Sequence, residues 1–267
     1  MNTDLEQKVR ARCREMEIPL VGFADVSRWE DSSVNPDMPE AFYPRSIWPE
    51  CVSVLVIGLP VHLPALETTP SIWYHEEYRT VNALLDQYTY RLAEFLNRHG
   101  YPSVSVPRDG YGHVSVLEDN PVAFFSHRHA AYFAGLGNFG INNMLLTPQY
   151  GPRVRFGSVL TAAPLPPDPL IEEMLCTRCM QCVNECPVQA LNEEDYPEGL
   201  TEKATCAKYS QRLARDYRAP CGVCIKVCPV GDDRIHYHRE DTGIYREKAG
   251  TEQYRQAWEH VRRYGVK

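Results

Sequence analysis

Eight of the ten cysteines in this chain fall between Cys176 and Pro229. The first run reads Cys176-x2-Cys179-x2-Cys182-x3-Cys186-Pro187. Cys206 follows alone, and the last run is Cys221-x2-Cys224-x3-Cys228-Pro229. Three cysteines within seven residues let one tight loop turn its thiolates toward one inorganic centre. This spacing, proline included, is the one that ligates a [4Fe–4S] cluster. Zinc sites more often use two separated pairs of ligands, so a zinc-stapled domain is the weaker reading. A disulfide framework belongs to short secreted chains. This chain has 267 residues, and its start, MNTDLEQKVRARCREMEI, lacks the apolar stretch of an export signal.

The fourth cysteine of such a run opens the next helix and serves the other cluster. Cys176, Cys179 and Cys182 therefore pair with Cys228, and a second cluster takes Cys186, Cys206, Cys221 and Cys224. The remaining two, Cys13 and Cys51, read as small buried residues of a helix and a strand.

The composition suits a soluble globular protein, at 43% hydrophobic and 24% charged residues. A net charge of −7 offers no bulk attraction for nucleic acid. The longest apolar run, Val52 to Val61, is about half a membrane span. The expected location is the cytoplasm, where thiols stay reduced, with no membrane partner.

The elements ahead of the cysteines follow from periodicity. Leu5, Val9 and Met16 mark an amphipathic helix, and Leu20 to Ala24 a short strand. Residues 31–50 are rich in proline, serine and acid and read as loop. Cys51 to Pro60 is apolar on both alternations and β-branched, as a buried central strand is. A stripe from Val81 to Leu96 predicts a helix over 81–100, closed by Gly100. Ser103 to Pro107 is a strand. Asn120-Pro121 looks like a cap and first helical residue, predicting a helix to about Phe133 that ends at Gly135. Gly157 to Pro164 is a further strand, and Thr251 to Arg263 a last helix. This order suggests helices packed on a mixed sheet.

Gly135-Leu136-Gly137-Asn138-Phe139-Gly140 matches G-x-G-x-x-G, but a helix precedes it and no acid lies near residue 160. A dinucleotide site needs a strand before the motif and an acid after it, so a helix stop and turn is the better reading. A loop whose bare backbone approaches some other cofactor is the third.

These residues resemble a family. Arg128, Gly135-Leu136-Gly137, Gly140-Ile141-Asn142, Leu145-Leu146 and Thr147-Pro148-Gln149-Tyr150-Gly151 are similar to the core of the epoxyqueuosine reductases, R-x6-GLG-x2-GKN-x-LL and then TPEYG. The cysteine runs follow in the family's order, and the likeness reaches about residue 230. The resemblance, which extends to the reductive dehalogenases, implies an α/β (α+β) architecture. A nitroreductase-like mixed-sheet domain over 1–163 would bind cobalamin, and a proline-rich linker would span 164–175. A ferredoxin-like 2[4Fe–4S] domain over 176–232 and a C-terminal tail with a helix over 233–267 would complete it. The implied function is an iron–sulfur oxidoreductase that takes electrons from a donor such as ferredoxin or flavodoxin. They would pass through two clusters to a bound cobalamin and reduce a small molecule. The tRNA-reading members carry a helical-repeat domain after the clusters, whereas about 35 residues follow here. With the acidic balance, that argues against tRNA. The alternative is a two-cluster electron carrier, or a reductive activator of a corrinoid or flavin held by a partner protein.

The resemblance also nominates residues. Arg128 would contact a cofactor amide or phosphate, or else be an ordinary surface ion pair. Gly135, Gly137, Gly140 and Asn142 would bring the backbone close to the corrin ring. Ile141 replaces the family's lysine and His127 its glutamate. The catalytic acid lands on Pro121, and a slip of two residues would make Asp119 the proton donor; a cap or loop residue is the plainer reading of that aspartate. His129 and the tyrosines of Tyr74-His75-Glu76-Glu77-Tyr78 are further candidate proton sources. His127 and His129, two apart on a helix, point to different faces and are no metal pair.

Overall fold

Ser53–Pro60 (β2) is the central strand, and all but its last residue are buried. Its alternate side chains enter two different cores, which is why the run is apolar throughout. In the computed structural model, which describes residues 3–35, 38–109, 116, 123–245 and 252–264, β2 lies in a four-stranded sheet. The other strands are Leu20–Asp25 (β1), Ser103–Val106 (β3) and Val154–Thr161 (β6), in the order β1-β2-β6-β3.

Each pairing is antiparallel, so the sheet is not mixed as expected. The cause lies in the connection. The strands β2 and β3 run the same way, joined by a long helix, and β6 fills the gap between them. Running opposite to both, β6 leaves no parallel pair.

One face of the sheet presents Phe23, Leu55, Ile57 and Val159 to Thr3–Glu15 (α1) and to Ile72–Arg98 (α5). The other presents Leu20, Val54, Val56, Phe156 and Leu160 to Trp29, from the short helix Ser27–Glu30 (α2), and to His127–Phe133 (α6). Short helices Pro44–Ile47 (α3) and Leu63–Glu67 (α4) interrupt the loops flanking β2, so residues 31–50 are not wholly irregular.

The long helix α5 begins nine residues before the predicted start. Ser71 caps it, its hydroxyl accepting from the Tyr74 N–H at 3.1 Å. Gly100 follows it in the left-handed region at φ 85°, as predicted for its end. Residues 120 and 121, where a cap was expected for the helix ending at Phe133, lie outside the described residues; α6 is capped instead by Ser126. A two-residue ladder, Asn138–Phe139 (β4) with Leu145–Leu146 (β5), turns the chain between α6 and β6.

Beyond β6 come Gln181–Asn184 (α7), Lys203–Ala214 (α8), Val223–Lys226 (α9), Asp233–His236 (α10) and Glu252–Arg262 (α11). The proline-rich segment before them is pinned rather than free. The Asp168 carboxylate accepts from the Phe23 N–H at 2.9 Å and from Arg10 at 2.7 Å, and the Asp168 N–H donates to Phe23 O at 2.9 Å.

Candidate iron–sulfur centre

The loop carrying the first three cysteines is bent by two residues with positive φ, Arg178 at 52° and Met180 at 57°. Such angles curl a short segment tightly, and here they bring Cys176, Cys179 and Cys182 round one hollow. Cys228 forms its far wall, and Asn142 and Leu146 close it from the sheet side. Cys179 is exposed while the others are partly covered. This is the grouping expected from the spacing.

The other four cysteines gather on the inner side. Cys186 bears on Cys206, both bear on Cys221, and all three bear on Cys224. The last loop is turned by Gly222 at φ 68°. It lies against the N-terminal part of the chain, where Thr69 Oγ1 donates to the Cys221 carbonyl and Tyr74 packs beside Gly222. Asn142 Nδ2 donates to the Cys224 carbonyl at 3.3 Å, so this residue stands between the two sets.

Burial, then neighbouring thiols, pushes Cys182 up to about 12. Burial likewise pushes Cys221 and Cys228 up to about 11. Left to themselves these thiols would keep their protons; a bound cationic centre strips them. Among the described residues, no three His, Cys, Asp or Glu groups stand close enough to hold a single metal ion. Thiols that surround a hollow without meeting at a point fit a cubane of iron and sulfide. Arg218 Nε, three residues before Cys221, is a buried N–H with no acceptor among the described residues. Cluster sulfurs accept hydrogen bonds of that kind. Cys13 and Cys51 are buried in the two hydrophobic cores, away from all of this.

The residues nominated for a corrin ring are occupied otherwise. A Cβ on Gly135 would sit 2.0 Å from Pro169 O, and one on Gly137 would sit 1.9 Å from Leu146 O. On Gly140 it would meet the Leu146 side chain at 2.9 Å. These glycines let the chain pack closely against itself. The Arg128 guanidinium donates to Asn143 O, and Asn142 belongs to the cysteine hollow. Asp119 lies outside the described residues.

The two histidines are structural. His127 Nε2–H donates to Pro107 O at 2.9 Å, leaving Nδ1 to accept from the Ser158 hydroxyl at 2.9 Å. His129 joins the Ser126 and Tyr196 hydroxyls, each at 2.6 Å. Burial lowers His127 to about 4 and His129 to about 3, so both are neutral at pH 7.

Comparison with known proteins agrees with this geometry. The family model for a 4Fe-4S binding domain matches residues 169–192. Tetrachloroethene reductive dehalogenase of Desulfitobacterium hafniense is 27% identical over 192 residues, which are 66% of this chain and 32% of that protein. Epoxyqueuosine reductase of Listeria monocytogenes is 35% identical over 120 residues, 40% of this chain and 30% of that one. A solved reductive dehalogenase, whose structure suggests a mechanism for B12-dependent dehalogenation, superposes with a TM-score of 0.62. It has 19% identity and covers 96% of this chain and 34% of its own. A solved epoxyqueuosine reductase gives a TM-score of 0.59 at 19% identity, covering 87% of this chain and 70% of its own.

The chain is similar to the reductive dehalogenases and epoxyqueuosine reductases, and shares their fold. It spans about a third of the length of the curated dehalogenases it matches. Among the described residues no helix is long and apolar enough to cross a membrane.

Several residues that shape the site carry no signal in the sequence. Asn143, with φ 54°, donates from Nδ2 to Gly199 O at 2.7 Å, and its Oδ1 accepts from Thr201 N at 2.5 Å and Thr201 Oγ1 at 2.9 Å. It ties the β4–β5 turn to the segment before Cys206. Arg153, fully buried just ahead of β6, forms a two-pronged pair with Asp233 at 2.7 and 2.6 Å. It also donates to Cys228 O and Val230 O. The nearest readable hint is Arg153 itself, a charge just ahead of β6.

Proposed function

We propose that this chain is an iron–sulfur reductase that moves single electrons from an external donor to an acceptor held against its N-terminal domain. Two [4Fe–4S] clusters would be ligated by Cys176, Cys179, Cys182 and Cys228 and by Cys186, Cys206, Cys221 and Cys224. Such clusters, when bound, accept and release one electron at a time. The observation that carries this reading is the unequal exposure of the two cysteine sets. One opens to solvent at Cys179, and the other is covered by Thr69, Tyr74 and Asn142. The chain's own part is to hold the thiols, to pack the inner set against Thr69, Tyr74 and Asn142, and to leave the outer set open at Cys179 to a donor such as ferredoxin or flavodoxin. A reducing, cytoplasmic compartment suits thiols that must bind iron.

For the acceptor, the resemblance favours a cobalamin and a small-molecule substrate rather than tRNA. Its seat would lie by Arg128 and the Gly135–Asn142 loop, as the resemblance implies. That loop's engagement with protein supports a second reading: a two-cluster carrier, or a reductive activator of a corrinoid or flavin held by a partner. Anaerobic reconstitution with iron and sulfide, then hydroxocobalamin and gel filtration, separates them. Retained cobalamin with a shift to the base-off spectrum supports the reductase; loss of all corrinoid supports the carrier. Zinc in place of iron and sulfide would overturn both.

A further inference from the structure

Arg234 is 1% exposed, and each of its nitrogens is hydrogen-bonded. Its acceptors are neutral: the carbonyls of Lys226 at 2.5 Å, Cys228 at 2.8 and 2.5 Å and Arg239 at 3.1 Å, and the Tyr245 hydroxyl at 3.4 Å. The two nearby buried carboxylates are taken. Asp233 gives both oxygens to Arg153, and Glu67 accepts from Arg239 and Tyr245. Among the described residues, no carboxylate pairs with Arg234. Burying a charge without a counter-charge costs several kcal/mol, even when its hydrogen bonds are satisfied. The guanidinium grips the backbone of Cys228, whose carbonyl also accepts from Arg153 at 3.1 Å. Positive charge thus gathers at the backbone of Cys228, and four thiolates around iron and sulfide would balance it.

We propose that Arg234 is the built-in counter-charge of the cluster held through Cys228, and that it raises the reduction potential of that cluster alone. Reduction adds one electron, from a one-electron donor, and so one negative charge beside a fixed positive one. The guanidinium therefore favours the reduced state, and net charge near a cluster is among the quantities that set its potential. Arg153 also faces Cys228, but it is paired with Asp233, whereas Arg234 has no carboxylate partner among the described residues. Arg234 is thus a positioning and tuning residue. This inference rests on the cluster assignment above, which iron and sulfide content of the wild-type protein tests separately.

The experiment is an anaerobic redox titration with dithionite, followed by electron paramagnetic resonance, on reconstituted full-length protein. The cluster in question is the one lost in Cys179→Ala. Arg234→Gln should move its midpoint to lower potential and leave the other cluster unchanged. Arg234→Lys, which keeps the charge, should stay nearer to wild type. Asp233→Asn leaves Arg153 uncompensated and should move the same cluster to higher potential. Unchanged midpoints at full iron content would overturn the proposal. So would equal shifts in both clusters, or a lysine variant displaced as far as the glutamine one. Should Arg234→Gln lose iron, the upward shift in Asp233→Asn decides: its absence overturns the proposal and its presence supports it.

Discussion

At the scale of single residues, burial decides protonation. His127 and His129 have unfolded values near 6.5, which the fold lowers to about 4 and about 3. Below about pH 6.5 the unfolded chain binds protons that the folded chain refuses. The stability these residues contribute is complete above that pH and is lost as pH falls toward 4. We expect the thermal midpoint of the cluster-loaded protein to fall between about pH 7 and pH 5. Substituting His129 by Gln should flatten that slope; an equal slope in the variant would assign the loss to other groups. Asn143 makes a different argument. Its amide serves Gly199 O on one side and two Thr201 donors on the other. Asn143→Ala leaves all three without partners and asks alanine to adopt a positive φ. The expected loss is about 2–4 kcal/mol in denaturant unfolding, with faster release of iron. That asparagine was invisible as a functional residue because its importance lies in what faces it from 56 residues away.

At the scale of elements, periodic stretches were readable and their ends were not. The buried strand β2 and the helix α5 follow from apolar patterning, yet α5 starts at Ile72 because Ser71 caps it and Tyr74 finds a buried seat. The β4–β5 ladder, two residues on each strand, is too short to leave a period. Its requirement shows instead in Gly137, whose missing side chain makes room for Leu146 O. Gly137→Ala should therefore destabilise the protein in the absence of any corrin, by about 1–3 kcal/mol or more. Thermal denaturation of corrin-free protein measures this. A variant as stable as wild type would return the glycine to a cofactor role.

At the scale of the whole molecule, the parts that sequence divides are stitched together. Asp168 joins the proline-rich segment to α1 and β1, and Arg153–Asp233 joins the sheet to the last cysteine loop. Glu67, buried at the end of α4, accepts from Arg239 and from the Tyr245 hydroxyl, each at 2.7 Å. Burial and this carboxylate push the Tyr245 phenol up, so it stays a donor. Arg262 of α11 donates to Thr68 O at 2.8 Å beside it. Glu67→Gln should leave Arg239 uncompensated and cost about 1–3 kcal/mol. Hydrogen exchange should rise over residues 234–262 and remain slow in the sheet. Uniform exchange across the chain would show that Glu67 is no such hub.

Spacing along the chain marked the eight cysteines as candidate ligands, because a tight loop can turn together thiols that are near in sequence. Alternation settled the central strand and the helix above it, since burial on one side repeats with the backbone's own period. What folding alone decided was who meets whom over long separations. Arg153 finds Asp233, Asn143 finds Thr201, and the glycine-rich turn closes on Pro169 and Leu146. A counter-charge, a hydrogen-bond acceptor or a void exists only once distant segments pack, and no local pattern records it.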